Sequence, residues 1–73
     1  MYICEASNKN GSSSVSFSFD SRTLETWFEV YIAVYTRDDG ERIVKGLYKT
    51  YIFKTLKAAM RKHEYLTEKY NIR

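Results

Sequence analysis

Along the first nineteen residues apolar and polar side chains alternate, interrupted by the polar run Asn8-Lys9-Asn10-Gly11-Ser12-Ser13-Ser14. A period of two is the mark of a half-buried strand, because successive side chains of an extended backbone point to opposite faces. Asn10-Gly11 at the centre of the run predicts a hairpin closed by a two-residue type I′ turn. That turn sets Ala6 opposite Val15, Cys4 opposite Phe17 and Tyr2 opposite Phe19, an apolar set. Ile3, Glu5 and Ser7 then share the other face with Ser14, Ser16 and Ser18, which suits water. A slip of one residue would mix the two sets, so pattern and turn agree.

The alternation returns in residues 26–36 and 42–52, on either side of Asp38-Asp39-Gly40. A three-residue loop with Gly40 left-handed sets Val34 opposite Val44, Val30 opposite Tyr48 and Glu29 opposite Lys49. It unites Phe28, Val30, Ile32, Val34, Val44, Tyr48 and Ile52 on one face, with Gly46 opposite Ile32 as a point of close helix approach. From Thr55 the period becomes 3.6: Leu56, Ala59, Met60, His63, Leu66 and Tyr70 form one stripe, and Lys57, Arg61, Lys62, Glu64, Glu68 and Lys69 lie largely outside it. Thr55 is the expected N-cap. The predicted architecture is one α+β domain over residues 1–73, a four-stranded antiparallel sheet made of two hairpins (β-β-β-β-α) with one C-terminal helix packed on one face. Whether the first hairpin extends the sheet or folds across its second face stays open.

Size matters next, because a 73-residue chain buries only about 60–65% of the surface it exposes when unfolded. A homodimer or a tight partner would add stability. Cys4 is the single cysteine, so no internal disulfide can form and a reducing, cytoplasmic setting is expected, the host cytoplasm if the chain is phage-encoded. The start Met1-Tyr2-Ile3-Cys4-Glu5 has no basic leader and no long apolar run, so neither a signal peptide nor a membrane contact is expected.

Catalytic chemistry finds little to work with. Nucleophilic catalysis needs a base beside the nucleophile, yet Cys4 falls on an apolar strand face and His63, the one histidine, on the helix stripe. One Cys and one His cannot hold zinc without distant carboxylates, and no glycine-rich phosphate loop is present, so neither metal nor cofactor is expected. Asp38, Asp39 and Glu41 cluster where turn chemistry explains them. The reading is therefore a non-enzymatic binding module.

Charge changes the picture most. Residues 1–41 carry three bases and seven acids, a net of −4, whereas residues 42–73 carry nine bases and two acids, a net of +7. Such a dipole steers an anionic partner. In the predicted register the uncovered sheet face shows Trp27, Glu29, Tyr31, Tyr35, Ile43, Lys45, Leu47, Lys49 and Tyr51, where rings can stack on bases and ammonium groups can meet phosphates. Lys54, Lys57, Arg61 and Lys62 crowd the start of the helix, an end whose dipole also attracts anions. The expected partner is nucleic acid, contacted through Trp27, Tyr31, Tyr35, Lys45, Lys49, Lys54, Lys57, Arg61 and Lys62. The alternative is an acidic protein surface met by a small regulator or inhibitor, with the aromatics as anchors.

Trp27 through Ala59, an aromatic strand, an Asp-Asp-Gly turn, a basic strand and then Phe53-Lys54-Thr55-Leu56-Lys57-Ala58-Ala59, resembles the arm-type DNA-binding domain of phage and transposon integrases. The resemblance covers under half the chain. It implies a three-stranded sheet backed by a C-terminal helix, with the sheet in the major groove of DNA. An extra N-terminal hairpin and an acidic hairpin tip depart from that family, and a recombinase domain after Arg73 is not expected. In general character the chain is also similar to phage accessory proteins that act on host enzymes or defence complexes, anti-CRISPR proteins among them.

Overall fold

The computed structural model describes residues 1–38 and 42–73, the side chains of residues 37, 38 and 42–45 excepted. Four strands, β1 (Tyr2–Asn8), β2 (Gly11–Phe19), β3 (Thr26–Asp38) and β4 (Arg42–Phe53), are followed by one helix, α1 (Leu56–Lys69). The strands form a single antiparallel sheet in the order β1-β2-β3-β4. The fold is the expected α+β arrangement, and the first hairpin extends the sheet instead of folding across it. Because β2 leaves β3 at the pair Gly11↔Val34, the β3–β4 ladder continues beyond Val34 as a two-stranded arm. The molecule is accordingly elongated, 47 × 22 × 15 Å. Among the described residues no helix is long and apolar enough to cross a membrane.

One sheet face carries the core. Val15, Val30 and Ile32 are fully buried against Ala59, Leu66 and Ile72, with Cys4, Ala6, Phe28, Val34, Tyr51, Phe53, Met60 and Tyr70 packed round them. Phe17 and Phe28, a cross-strand pair, meet at 5.4 Å. Thr55 caps the helix, its backbone extended and its Oγ1 accepting from the Ala58 amide at 3.2 Å, so one orphan donor is satisfied. The stripe needs two corrections: Leu56 is 42% exposed, and Thr67, not foreseen, is buried. Both follow from the helix axis lying rotated toward the Ala59–His63–Leu66–Thr67 edge.

The turns also depart from expectation. In the first hairpin Asn8 pairs with Gly11, leaving Lys9 and Asn10 in the turn, and Cys4 lies opposite Val15 and Ala6 opposite Ser13. The turn starts a residue early because Asn8 Oδ1 accepts the Asn10 amide at 2.8 Å, an Asx-turn. No type I′ turn forms, since neither Asn10 nor Gly11 has a positive φ. The slip is two residues, which preserves the faces except at Tyr2, displaced by a bulge between Tyr2 and Cys4. Gly11 serves close packing instead: a Cβ there would lie 2.3 Å from the Ala33 carbonyl oxygen and 3.0 Å from Ile72 Cδ1.

In the second hairpin Asp38 pairs with Arg42, and the turn predicted at Asp38-Asp39-Gly40 lies largely outside the described residues. A bulge between Val34 and Tyr35 then absorbs Gly46, so that Val34 faces Leu47, Val30 faces Tyr51 and Glu29 faces Ile52. This corrects the expected pairs Val34–Val44, Val30–Tyr48 and Glu29–Lys49. One extra residue on one strand exchanges that strand's faces, and below the bulge Leu47, Lys49, Tyr51 and Phe53 turn to the helix side while Tyr48, Thr50 and Ile52 turn away. Gly46 is not beneath the helix; a Cβ on it would lie 2.6 Å from Thr36 Cγ2.

The C-terminal tail closes the fold. Asn71, with φ 54°, follows the Tyr70 cap, and the amides of Asn71 and Ile72 donate to the carbonyls of Glu68 and Thr67 at 3.3 and 2.8 Å. This paired arrangement at a left-handed residue satisfies orphan carbonyls of the last turn and drives Ile72 into the core. Asn8 Nδ2 donates to the carbonyls of Asn71 and Arg73 at 2.9 and 3.1 Å, and Asn10 Nδ2 donates to that of Asn71 at 2.8 Å.

Candidate nucleic-acid interface

The exchanged faces of β4 separate the aromatics from the lysines expected beside them. By strand alternation Trp27, Tyr31 and Tyr35 point away from the helix, joined below the bulge by Tyr48, Thr50 and Ile52 of β4 and by Ser12, Ser14, Ser16 and Ser18 of β2. Tyr31 and Tyr48 meet edge to face at 5.0 Å. Lys49 and Tyr51, predicted for this face, are on the other, and the side chain of Lys45 lies outside the described residues. The charged group central to this face is Glu29, whose Oε2 accepts from Ser18 Oγ at 2.8 Å.

Trp27 is half-buried beside a groove of about 500 Å³ formed with Leu24, Glu25, Thr26, Ile52 and Lys54. Its Nε1 is sealed from solvent and is, among the described residues, the buried side-chain nitrogen or oxygen without a hydrogen-bond partner. An indole held that way is a poor stacking platform. Leu24 reaches this groove from the β2–β3 loop with φ 61° and its side chain 81% exposed. The loop is fixed by the Leu24 amide donating to the Asp20 carbonyl at 2.7 Å and by the Arg22 amide donating to Asp20 Oδ1 at 2.9 Å.

Lysines and rings do meet, on the helix side at the edge of β4. Lys49 Nζ lies 4.9 Å from the ring centroid of Tyr51, its neighbour two residues along the strand. Lys62 Nζ sits between two rings, 4.3 Å from Tyr51 and 5.3 Å from Tyr65. Lys69 Nζ sits between the next two, 5.6 Å from Tyr65 and 5.4 Å from Tyr70. The result is a ladder in which ammonium groups and rings alternate: Lys49, Tyr51, Lys62, Tyr65, Lys69, Tyr70. Helical spacing builds it, since residues 62, 65 and 69 recur at intervals of three and four and so share one flank of α1. Each ammonium faces the negative face of a π-system, a contact worth about 0.5–1 kcal/mol where solvent reaches it. Tyr65, then Tyr70, hold Lys69 above the ordinary lysine value, since ionised phenols favour an ammonium beside them.

Among the described residues the one ion pair is Arg73–Glu68 at 3.7 Å, so none of the three ladder lysines has a carboxylate partner. Lys54, Lys57 and Arg61 are exposed near the start of the helix, whose first turn contains no acid. Of the residues singled out by sequence, Lys49 and Lys62 therefore come together and Lys57 and Arg61 are exposed on the same helix, while Lys54 lines the groove beside Trp27 and Ile52. Trp27, Tyr31 and Tyr35 are on the opposite side of the sheet. Tyr51 lies on the helix side and not on the predicted open face, and Tyr65, Lys69 and Tyr70 join the contact set without having been expected there. Their signal was the basic–aromatic spacing Lys62-x-x-Tyr65-x-x-x-Lys69, legible once one flank of the helix is considered apart from its buried stripe.

The flank toward β1 is built differently. Cys4 and Ala6 with Met60, His63, Glu64, Thr67, Glu68, Ile72 and Arg73 line a groove of about 470 Å³. Cys4 Sγ approaches Met60 Sδ at 3.7 Å, and His63 Nδ1 shares a buried hydrogen bond with Ser13 Oγ at 2.8 Å. Burial lowers the His63 value below the usual 6.5, and neighbouring Glu64 opposes the shift without cancelling it. Among the described residues no group of three or more His, Cys, Asp or Glu side chains converges as a metal site would require. No known protein family, curated protein or solved structure matches this chain.

Proposed function

We propose that the protein is a non-enzymatic binding module for nucleic acid, and that it binds along the β4 flank of α1. The observation that carries this reading is the pair Lys62 and Lys69, each held between two tyrosine rings and neither offered a carboxylate. Cations placed this way remain available to phosphates, and Lys49 with the exposed Lys57 and Arg61 of α1 adds to the positive field. The sheet-face contact implied by the likeness to integrase arm-type domains would rest on a surface whose charge near its centre is Glu29, and that geometry does not favour it.

The test is a titration of a labelled oligonucleotide at several salt concentrations. Replacing Lys62 and Lys69 together by Gln is expected to reduce the slope of log affinity against log salt by roughly 1.4–1.8. Absence of binding at low salt, or an unchanged slope in the double variant, would overturn the reading.

A second reading, a small regulator that docks on another protein, is favoured by the opposite face, where Tyr48 is 61% and Ile52 67% exposed. Exposed apolar anchors of this kind suit a protein contact. Ile52→Lys is expected to abolish any such complex without changing oligonucleotide affinity, and loss of both would contradict the separation of the two surfaces.

A further inference from the structure

Resting on the nucleic-acid reading, we infer that the ladder on the β4 flank takes single strands, with bases stacked on Tyr65 and its neighbouring rings, and not duplex. A duplex keeps its bases stacked on one another and offers a protein its phosphates and groove edges. The ladder side chains lie along a helix flank seated against β4, as the Lys62–Tyr51 contact requires, so this flank cannot be inserted into a groove. To a duplex, then, it would present ammonium groups alone, and the rings would be idle.

A single strand uses both halves of the alternation. Each lysine has a flexible four-carbon stem, so its ammonium can move from a ring to a phosphate and leave the ring open to a base. Base–aromatic stacking is the stronger contact of the two at an exposed site, so the exchange favours the bound state. Tyr65 is the central platform: it is 54% exposed and flanked by Lys62 on one side and Lys69 on the other. Those lysines are two helical turns apart, roughly 10.5 Å along the axis, a span suited to a short run of nucleotides. Stacking reads no base edge, so little sequence preference accompanies it.

The experiment compares a fluorescein-labelled oligothymidine of about twelve nucleotides with a duplex of equal length, using the intact protein and its Tyr65→Leu and Tyr65→Phe variants. The single strand is expected to bind at least about tenfold more tightly than the duplex; Tyr65→Leu should remove about tenfold of that affinity, and Tyr65→Phe should keep it. Circular dichroism of each variant confirms that the helix is retained. Trp27, on the far side of the sheet, should keep its emission on binding; a strong quench would place bases there and overturn the inference. Equal affinity for both forms, or a single-strand preference indifferent to Tyr65→Leu, would overturn it while leaving the broader nucleic-acid reading standing. Failure to bind either form at low salt would remove that broader reading, and this inference with it.

Discussion

The two flanks of α1 solve opposite problems with the same helix. Toward β1 polar groups are paired within the protein: His63 with Ser13, the Asn8 and Asn10 amides with the tail carbonyls, Glu68 with Arg73. Toward β4 three ammonium groups rest on rings with no anion in reach. A flank whose donors are matched contributes to folding, since buried polar groups left unpaired are costly. A flank whose cations are merely parked contributes little to stability and is ready to exchange its contacts. The contrast separates the part of the helix that holds the domain together from the part free to meet something else.

Three changes probe that division. Ile72→Ala should have the largest effect, about 2–5 kcal/mol of stability by urea unfolding, because Ile72 is fully buried in the core. The Lys62→Gln/Lys69→Gln protein should lose less than about 1 kcal/mol in the same assay. If the two losses were equal, the ladder would be structural and the contrast would fail. Asn8→Ala comes next, with about 1–2 kcal/mol expected from its lost tail hydrogen bonds and its lost Asx-turn, measured as a shift in midpoint at constant slope.

The smallest effect concerns pH. His63 has a lowered value in the folded state, so the unfolded chain binds the proton more readily. Its contribution is fully present above pH 6.5 and declines as pH falls through 6.5 toward the folded value. His63→Gln should flatten that decline, and urea midpoints measured through this window would read it out.

Much of the scaffold was legible because its signals are local. Thr55 caps α1, Val30 and Ile32 share the buried face of β3, and the apolar set of the first hairpin survives a register error, since a slip of two residues returns side chains to the same face. The site was not legible for the converse reason. Gly46 sits in a bulge, and one absorbed residue was enough to carry Lys49 and Tyr51 across the sheet. A glycine inside a strand pattern signals either a bulge or a close approach, and alternation alone does not choose between them. Nor could the pattern reveal the tail contacts, because nothing local in Asn8 or Asn10 indicates that their amides will meet carbonyls more than sixty residues later.

Those contacts have a kinetic consequence. A tie between one hairpin tip and the far end of the chain can form only after nearly everything between them is in place, so closing it belongs late in folding. Undoing it is correspondingly the first step open to the native protein. Hydrogen exchange at the Ile72 amide, which donates to the Thr67 carbonyl beside this clasp, measures how seldom it lets go.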